Sequence, residues 1–467
     1  MPIDTDSASS ALVSAAVDQS ANIDRILVGN GAIQAIPELL SSHFDDRPAF
    51  LVADENTMAV AGARVRDLLE SAGHSVELHC YPSSSQLKPS VENAAAIEDG
   101  IGGRDMVPIA VGAGVINDLV KYAAYRKGLP FMSVATAASM DGYASGGAPL
   151  SKNGFKHTIA CVPPRVIVAD SHILATAPAP MAGWGYGDLA GKIPAGADWI
   201  IADALRVEAM DHDVWSLVHD HLGDWLSDPA GIAKGDSQTL SELLIGLTIC
   251  GLAMEFHGSS RPASGAEHQI AHIWEMQGIA HDNMPVSHGA CVAIGTLTIL
   301  ALYDWLLTKE TISIDISRLV ANRPTLQDEI STIHGWFGRG VIADRSIEET
   351  KAKYPSDADL TTRLEMLVSD WPRLREKLRN HLVPASRMRR MLDAAGVASR
   401  PVDIGLSPAH HKETVLSARF IRRRYTLLDL LAETDMLDMA VEEIFSGEAL
   451  SSHHPDTARA NSRQERQ

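Results

Sequence analysis

Two histidines stand four residues apart in the segment GAEHQIAHIWEM, residues 265–276, which otherwise has the composition of a helix. Residues at positions i and i+4 lie on the same face of an α-helix, so His268 and His272 are expected to point into one cavity. Two imidazoles there could bind a metal ion or take part in acid–base catalysis. They could also be core histidines that hydrogen-bond to their neighbours, and the spacing alone leaves both interpretations open.

Two further segments carry side chains suited to the same chemistry. Asp188 lies among glycines in GWGYGDLAGK, residues 183–192, and His288 stands at the expected start of a helix in SHGACVAIG, residues 287–295. Glycines let a ligand approach the backbone closely, and an ionised carboxylate among them can bind a cation. One aspartate and two histidines from three helical segments, with coordination positions left open, are typical of a catalytic divalent metal site.

A glycine-rich turn, VGAGVIND at residues 111–118, follows the apolar run VPIAV and opens a helical stretch. Such a turn exposes backbone N–H groups at a helix N-terminus, where a phosphate group can bind. A tight turn without a ligand would have the same sequence, because Gly-Ala-Gly is only part of the dinucleotide-binding pattern. If Ala113 needed a positive φ, the alanine would be strained.

A second turn, TAAS at residues 136–139, follows the next strand and leads to Asp141 and Ser145. Open parallel sheets bind ligands at the carboxyl ends of their strands, so both turns are expected at one edge of a sheet. Asp141 would face that crevice. Its alternative role is to cap a helix or a turn.

These residues require a scaffold with two parts. From about Arg25 to Ala179, short apolar runs alternate with helical stretches, and strands are predicted at 49–53, 75–80, 107–111, 131–134 and 166–169. This alternation predicts βαβ units around a parallel sheet that is covered on both faces. From Trp184 to Phe445 the runs are long, Ala/Leu-rich and helix-periodic. We therefore expect an α/β domain at residues 25–180 and an all-helical domain at residues 181–450.

The remaining sequence features exclude several classes of protein. A net charge of −19 argues against nucleic-acid binding, and four widely spaced cysteines form no zinc ribbon or disulfide framework. No signal peptide is apparent, and no run approaches the ~18 apolar residues of a membrane span, so we expect a cytoplasmic protein. Residues 1–24 and 451–467 are polar and aperiodic, and we expect both segments to be disordered.

Four stretches together resemble the sn-glycerol-1-phosphate dehydrogenases: TAASMDGYASGGAPLSKNGFK, GYGDLAGK, SGAEHQIAHIWEM and SHGACVAIG. That family belongs to a superfamily with glycerol dehydrogenases, iron-containing alcohol dehydrogenases and dehydroquinate synthases. The resemblance covers roughly residues 25–445 and implies a Rossmann-like N-terminal domain and a helical, metal-binding C-terminal domain. Asp188 stands where dehydroquinate synthases generally have glutamate, which argues against that chemistry.

The resemblance also implies roles for individual residues. Asp188, His268 and His288 would bind one divalent metal ion, and zinc, nickel and iron(II) all suit this ligand set. Asp141, Asp188 and His272 would contact the substrate, with Asp188 and His272 as catalytic residues. NAD(H) or NADP(H) would be contacted by Asp54, Gly112, Ala113, Gly114, Val115, Ile116, Thr136, Ala137, Ala138, Ser139 and Ser145.

The implied reaction is hydride transfer between NAD(P)H and dihydroxyacetone phosphate, which gives sn-glycerol 1-phosphate, in a homodimer or larger homo-oligomer. His272 or a water relay at the metal would deliver the proton. Lys152 and Lys156, in a predicted loop SKNGFKH, and Arg261 are candidates for binding the substrate phosphate, and each could instead be an ordinary surface charge. Two alternatives are a glycerol or other polyol dehydrogenase of the same superfamily and a metal- and nucleotide-binding protein without catalytic turnover.

Overall fold

A computed structural model describes residues 8–83, 87–152 and 155–447 of the chain. The strands in these ranges are β1 (Arg25–Gly29), β2 (Ala49–Asp54), β3 (Val76–Tyr81), β4 (Val107–Gly112), β5 (Met132–Ala135), β6 (Gly147–Lys152), β7 (Phe155–Ala160), β8 (Val166–Asp170), β9 (Ala280–His281) and β10 (Met284–Pro285). The helices are α1 (Ala8–Val17), α2 (Ile36–Phe44), α3 (Glu55–Thr57), α4 (Ala63–Ser71), α5 (Val91–Ile101), α6 (Gly114–Lys127), α7 (Ser171–Thr176), α8 (Ala179–Ala190), α9 (Lys192–Ala204), α10 (His212–His219), α11 (Leu222–Trp225), α12 (Pro229–Lys234), α13 (Ser237–His257), α14 (Ala266–Gln277), α15 (His288–Leu307), α16 (Ile316–Asn322), α17 (Leu326–Phe337), α18 (Val341–Lys353), α19 (Asp357–His381), α20 (Ala385–Ala394), α21 (Pro408–Ser417), α22 (Leu427–Glu433) and α23 (Leu437–Ser446).

Six parallel strands form one sheet in the order β1-β8-β5-β4-β2-β3. The strands β4, β5 and β8 are buried along their whole length, because helices cover both faces of the sheet. The strand β3 forms one edge and is largely exposed. This sheet with its covering helices confirms the predicted α/β architecture of the N-terminal part.

The predicted strands match β2, β3, β4, β5 and β8 to within one residue at each end. We did not predict β1 or the antiparallel hairpin of β6 and β7, and we placed Lys152 and Lys156 in a loop. They belong instead to the two strands of the hairpin. The sequence of β6, GAPLSK, does not predict a strand, because glycine and proline are depleted in strands.

The described chain after Asp170 is helical, apart from the two-residue strands β9 and β10. The helices α13 and α15 are long and apolar enough to cross a membrane, so our expectation that no run has this length and composition is wrong. However, 72% and 94% of their most apolar windows are buried inside the protein, as expected for core helices. The helix α7 precedes residue 180 but packs against α13, a helix of the C-terminal part. The domain boundary at residue 180 therefore stays a prediction.

The expected disorder of residues 1–24 is wrong for a segment within them. Residues 8–17 form α1, and Val13 and Ala16 on this helix are buried. The helix packs against α13, where the Ser9 hydroxyl donates a hydrogen bond to Glu242. Burial of a few apolar side chains against a neighbour stabilises a short helix that composition alone does not reveal. Residues 1–7 and the tail at 451–467 lie outside the described residues.

The helices α8, α14 and α15 approach one another through glycines. A Cβ atom at Gly187 would lie 2.6 Å from the carbonyl oxygen of Gly289, and one at Gly289 would lie 2.0 Å from that of Trp184. A Cβ atom at Gly295 would lie 2.5 Å from the carbonyl oxygen of Glu267. Any larger residue at these positions would force the backbones apart, so the glycines set the distances between the three helices.

We predict that Gly289→Ala lowers the free energy of unfolding by about 1–3 kcal/mol, because the added methyl group overlaps the backbone of α8. Equilibrium unfolding in urea measures this change. Gly335→Ala is the matched control, since a Cβ atom at Gly335 in α17 meets nothing within 4 Å. The control should be unchanged or more stable by up to about 1 kcal/mol. Equal losses in both variants would contradict the role of close helix packing.

Candidate active site

Asp188, His268 and His288 lie together although each belongs to a different helix. They are presented by α8, α14 and α15, respectively. One possible ligand atom from each residue lies within 4.8 Å of the other two. The Nε2 atom of His268 is 3.5 Å from Oδ1 of Asp188, and the rings of His268 and His288 are 5.3 Å apart. The glycine contacts between the three helices bring these side chains into one cluster.

A carboxylate orients each histidine of this cluster. Nδ1 of His268 pairs with Oε1 of Glu267 at 2.7 Å, and Nδ1 of His288 pairs with Oε1 of Glu275. These contacts leave Nε2 of each ring available to a ligand. Histidines that bind a metal commonly place their other nitrogen against a carboxylate in this way, so the residues fit a divalent metal ion. We had not singled out either glutamate, although both belong to the same helix as His268.

The start of α14 is fixed by buried carboxylates. The backbone N–H of Gly265 donates to Oε1 of Glu267 at 2.7 Å, and that of Ala266 donates to Oδ2 of Asp198 at 2.8 Å. Tyr303 donates its hydroxyl to Oδ1 of Asp198 at 2.6 Å. Burial and the negative charge of Glu267 raise the pKa of Asp198 to about 7. These bonds satisfy N–H groups that a helix start would otherwise leave unpaired, and they hold His268 in place.

Lys192 is a fully buried cation that joins two aspartates of the site. Its Nζ donates to Oδ2 of Asp141 at 2.6 Å and to Oδ1 of Asp188 at 2.7 Å. The backbone N–H of Asp141 also donates to Oδ2 of Asp188, at 3.0 Å. Asp141 therefore contacts the cluster and caps no helix in the described chain. This favours the expected position of Asp141 in the crevice at the sheet edge over its alternative role as a cap. We had assigned no role to Lys192, although its spacing of four residues from Asp188 would have indicated a pair.

Lys192 and Asp188 are each held in the charged form. Burial alone would lower the pKa of Lys192, but Asp141 and Asp188 raise it above its ordinary value. Burial likewise opposes ionisation of Asp188, yet Lys192 and the two histidines hold its pKa well below the usual range. An ionised carboxylate is the form that binds a metal ion, so the protein keeps Asp188 ready for that role.

His272 lies beside this cluster in the same cavity. Its ring centroid is 5.9 Å from that of His268 and 5.8 Å from that of His288. Burial lowers the pKa of His272 well below its ordinary value, which makes the neutral imidazole the stable form. Its Nδ1 is buried without a hydrogen-bond partner in the described part of the chain. A buried, unpaired nitrogen at this place is suited to a ligand, as expected for a substrate contact.

The two turns predicted to bind a dinucleotide meet at the carboxyl edge of the sheet. The residues that end β4 and β5, Gly112 and Ala135, are paired in the parallel register, and Thr136 donates its N–H to the carbonyl of Gly112 at 3.2 Å. Gly114 begins α6, and Ala113 before it has φ −90° and ψ −161°. Because this conformation is extended, the strain that a positive φ would cause at Ala113 does not arise.

The other residues expected to contact the cofactor flank these turns. Val115 and Ile116 form the first turn of α6, and residues 137–139 follow Thr136. Asp54 ends β2 and caps the next helix, where its Oδ1 accepts from the N–H of Thr57 at 2.8 Å. Ser145 donates its hydroxyl to the carbonyl of Gly142 at 3.1 Å. Asp54 and the two turns therefore share one edge of the sheet.

Lys121 connects the glycine-rich turn with the segment that follows Asp141. It is fully buried in α6, the helix that the turn begins. Its Nζ donates to three backbone carbonyls, those of Gly142 at 2.6 Å, Ser145 at 2.9 Å and Gly147 at 3.1 Å. One ammonium group thus holds the backbone that carries Ser145 and leads away from Asp141.

Of the three candidates for phosphate binding, the structure describes the side chain of Arg261, and this side chain is engaged elsewhere in the protein. Arg261 is 1% exposed, and its guanidinium donates to the carbonyls of Tyr425 at 3.1 Å and Asp198 at 3.0 Å. Its Nε also lies 3.3 Å from Glu208. We therefore withdraw Arg261 as a ligand of phosphate. The side chains of Lys152 and Lys156 lie outside the part of the structure that is described.

Several known proteins are similar to this chain in sequence, in fold or in both. Residues 27–178 match the family model described as iron-containing alcohol dehydrogenase. A protein of Bacillus velezensis named glycerol-1-phosphate dehydrogenase (NAD(P)+) is 35% identical over 300 residues, which cover 62% of this chain and 74% of the relative. A protein of the same name from Halalkalibacterium halodurans is 31% identical over 414 residues, which cover 88% of this chain and 92% of the relative.

The solved structure of a probable glycerol dehydrogenase from Sinorhizobium meliloti has the same fold. It superposes with a TM-score of 0.56 at 16% identity, and the match covers 91% of this chain and 98% of that one. The relatives found by sequence are more similar to this chain than that structure is. Two of them are more than 30% identical, and the matched region covers 74% and 92% of their own lengths. The chain therefore belongs to the family of the glycerol-1-phosphate dehydrogenases (NAD(P)+).

Proposed function

We propose that this protein is a metal-dependent dehydrogenase that interconverts dihydroxyacetone phosphate and sn-glycerol 1-phosphate with NAD(P)H. The observation that carries the proposal is the cluster of Asp188, His268 and His288, which Lys192 ties to Asp141. Membership of the family favours this reaction over a polyol dehydrogenase and over a protein without turnover. We further propose a cytoplasmic location and a homodimer or larger homo-oligomer.

Asp188, His268 and His288 would hold the divalent metal ion. Their carboxylate and imidazole donors suit zinc, nickel or iron(II), and Glu267 and Glu275 would keep the two rings oriented. When bound, such an ion supplies Lewis acidity toward a ketone oxygen.

Lys192, Asp141 and His272 would act on the substrate from the protein side. The Lys192 ammonium would place positive charge near the oxygen that becomes negative during reduction of a ketone, and Asp141 fixes the position of that ammonium. His272 is held neutral, so one ring nitrogen can donate a hydrogen bond and the other can accept one, but the ring carries no extra proton. We therefore propose that His272 orients the substrate and relays a proton along a hydrogen bond, in place of storing one as imidazolium.

The cofactor would lie along the carboxyl edge of the sheet. The N–H groups at Gly114 and Val115 would receive the pyrophosphate at the start of α6, with Gly112, Ala113 and Ile116 completing the turn. Thr136, Ala137, Ala138, Ser139 and Ser145 would line the other side. Asp54 would approach the adenosine ribose, where its charge disfavours a 2′-phosphate, and we leave NADH and NADPH as alternatives.

We predict that Glu275→Gln raises the dissociation constant for zinc by about 10- to 100-fold, because His288 loses the carboxylate that orients its ring. Calorimetric titration of chelator-stripped protein measures the constant without any assay of turnover. Glu376→Gln, at an exposed glutamate on α19, is the matched control and should bind zinc like the unmodified protein. Unchanged zinc affinity in Glu275→Gln would count against this metal site.

The substrate is tested by comparing dihydroxyacetone phosphate with dihydroxyacetone. We predict that kcat/KM for the phosphate ester is higher by at least ~10²-fold, because charge-assisted hydrogen bonds contribute roughly 1.5–3 kcal/mol each. Oxidation of NADH followed at saturating zinc gives both values. Equal kcat/KM for the two ketones would replace this proposal with the polyol dehydrogenase alternative.

A further inference from the structure

The segment RFIRRRY, residues 419–425, contains four arginines, and three of them have partners in the protein. These pairs are Arg419 with Glu329 at 2.6 Å, Arg423 with Glu349 at 3.0 Å, and Arg424 with Ser260 at 2.9 Å and with the carbonyl of Ser264. Arg422 differs from the other three. It makes no hydrogen bond or ion pair with any residue in the described ranges, although it is partly buried.

Arg422 is placed near His272. It directly follows a 3-10 helix at Ala418–Ile421, and this short helix packs against both α14 and α18. The helix α14 carries His272. Burial is the main reason for the lowered pKa of His272, and the positive charge of Arg422 is the charge that lowers it most. Two residues further on, Arg424 donates to the carbonyl of Ser264, shortly before α14 begins. The backbone at Arg422 therefore runs beside the helix that carries His272.

Among the described residues, the surroundings of Arg422 contain a second cation without an ion pair and one carboxylate, Glu349, which is bonded to another arginine. Arg345 on α18 is exposed, has no ion pair within the described residues, and adds to burial in lowering the pKa of Arg422. The nearby carboxylate of Glu349 already accepts three hydrogen bonds from Arg423, at 2.8, 3.0 and 3.2 Å. The charge of Glu349 raises the pKa of Arg422 and partly opposes the effect of Arg345, but its hydrogen-bonding oxygens are occupied by Arg423.

This arrangement of charges lowers the stability of the folded protein unless a bound anion pairs with Arg422. A partly buried cation without a partner loses hydration and gains no compensating bond, and a like charge beside it adds repulsion. Guanidinium groups suit phosphate in particular, since their planar N–H groups can donate two parallel hydrogen bonds to its oxygens.

We propose that Arg422 binds the phosphate group of the substrate, with Arg345 adding positive charge from α18. This assignment rests on the proposed function and deepens it, since it names the group that distinguishes a phosphorylated ketone from a free one. The ketone end of the substrate would lie at Asp188, His268 and His288. His272, which is near both that cluster and Arg422, would contact the part of the molecule between them.

Arg422→Met tests the assignment through substrate preference. We expect the ratio of kcat/KM for dihydroxyacetone phosphate over dihydroxyacetone to fall by about 10- to 100-fold, because at least one charge-assisted bond to phosphate is lost. The loss should appear mainly as a higher KM for the phosphate ester. Arg422→Lys should recover part of the ratio, since an ammonium restores the charge without the paired N–H groups. A merely structural arginine would not give this graded recovery.

Arg373→Met is the matched control, because it removes an equal charge from an exposed position on α19. The control should keep the substrate ratio of the unmodified protein. If the unmodified protein prefers the phosphate ester and Arg422→Met keeps that preference, Arg422 does not bind the phosphate, and the proposed function still stands.

Binding of inorganic phosphate to the protein, measured by calorimetry, separates this inference from the proposed function. We expect phosphate to bind the unmodified protein and to bind Arg422→Met at least about tenfold more weakly. If no phosphorylated ketone is preferred but this difference in phosphate binding is seen, the proposed function fails and the anion site at Arg422 stands. If Arg422→Met and the unmodified protein bind phosphate equally, the site is wrong.

Discussion

The pairing of Lys192 with Asp188 and Asp141 is the interaction on which the site depends. Asp188 is fully buried, and a buried carboxylate without a partner costs several kcal/mol and takes up a proton. Lys192 removes that cost, so the carboxylate stays ionised at the place where two histidines converge. The same ammonium reaches Asp141, which follows the strand β5 of the sheet. One side chain therefore sets the charge of the site and joins the α/β part to the helical part.

The surrounding scaffold holds this network by contacts that tolerate little displacement. Glycines bring the backbones of α8, α14 and α15 close together, so that Asp188, His268 and His288 meet. Lys121 fixes the backbone after Asp141 to the helix that begins at the glycine-rich turn. A change at either place would move a ligand relative to the sheet edge. The expected cofactor turn and the metal cluster are thus positioned by one connected set of buried contacts.

Local sequence patterns predicted much of the fold and the first set of site residues. The strands β2, β4, β5 and β8 are largely continuous apolar runs, β3 lies between two helical stretches, and the spacing of His268 and His272 indicates a shared helical face. Patterns of this kind are local, whereas the contacts that we missed join distant residues. Lys192 meets Asp141, a residue 51 positions away, and the arginine at 422 lies in a loop without periodicity. The orienting glutamates and the burial of α1 also depend on neighbours that no single segment reveals.

The assignment of the metal ligands can be tested directly, because two candidate sets share His288. Asp188, His268 and His288 form one set, and His272, Glu275 and His288 form the other. Anomalous diffraction from crystals of the zinc-loaded protein locates the ion without reference to activity. We predict a single peak about 2.0–2.2 Å from one oxygen of Asp188 and from Nε2 of His268 and His288. A peak bound by His272 and Glu275, or no peak in the cluster of Asp188, would contradict the proposed metal site.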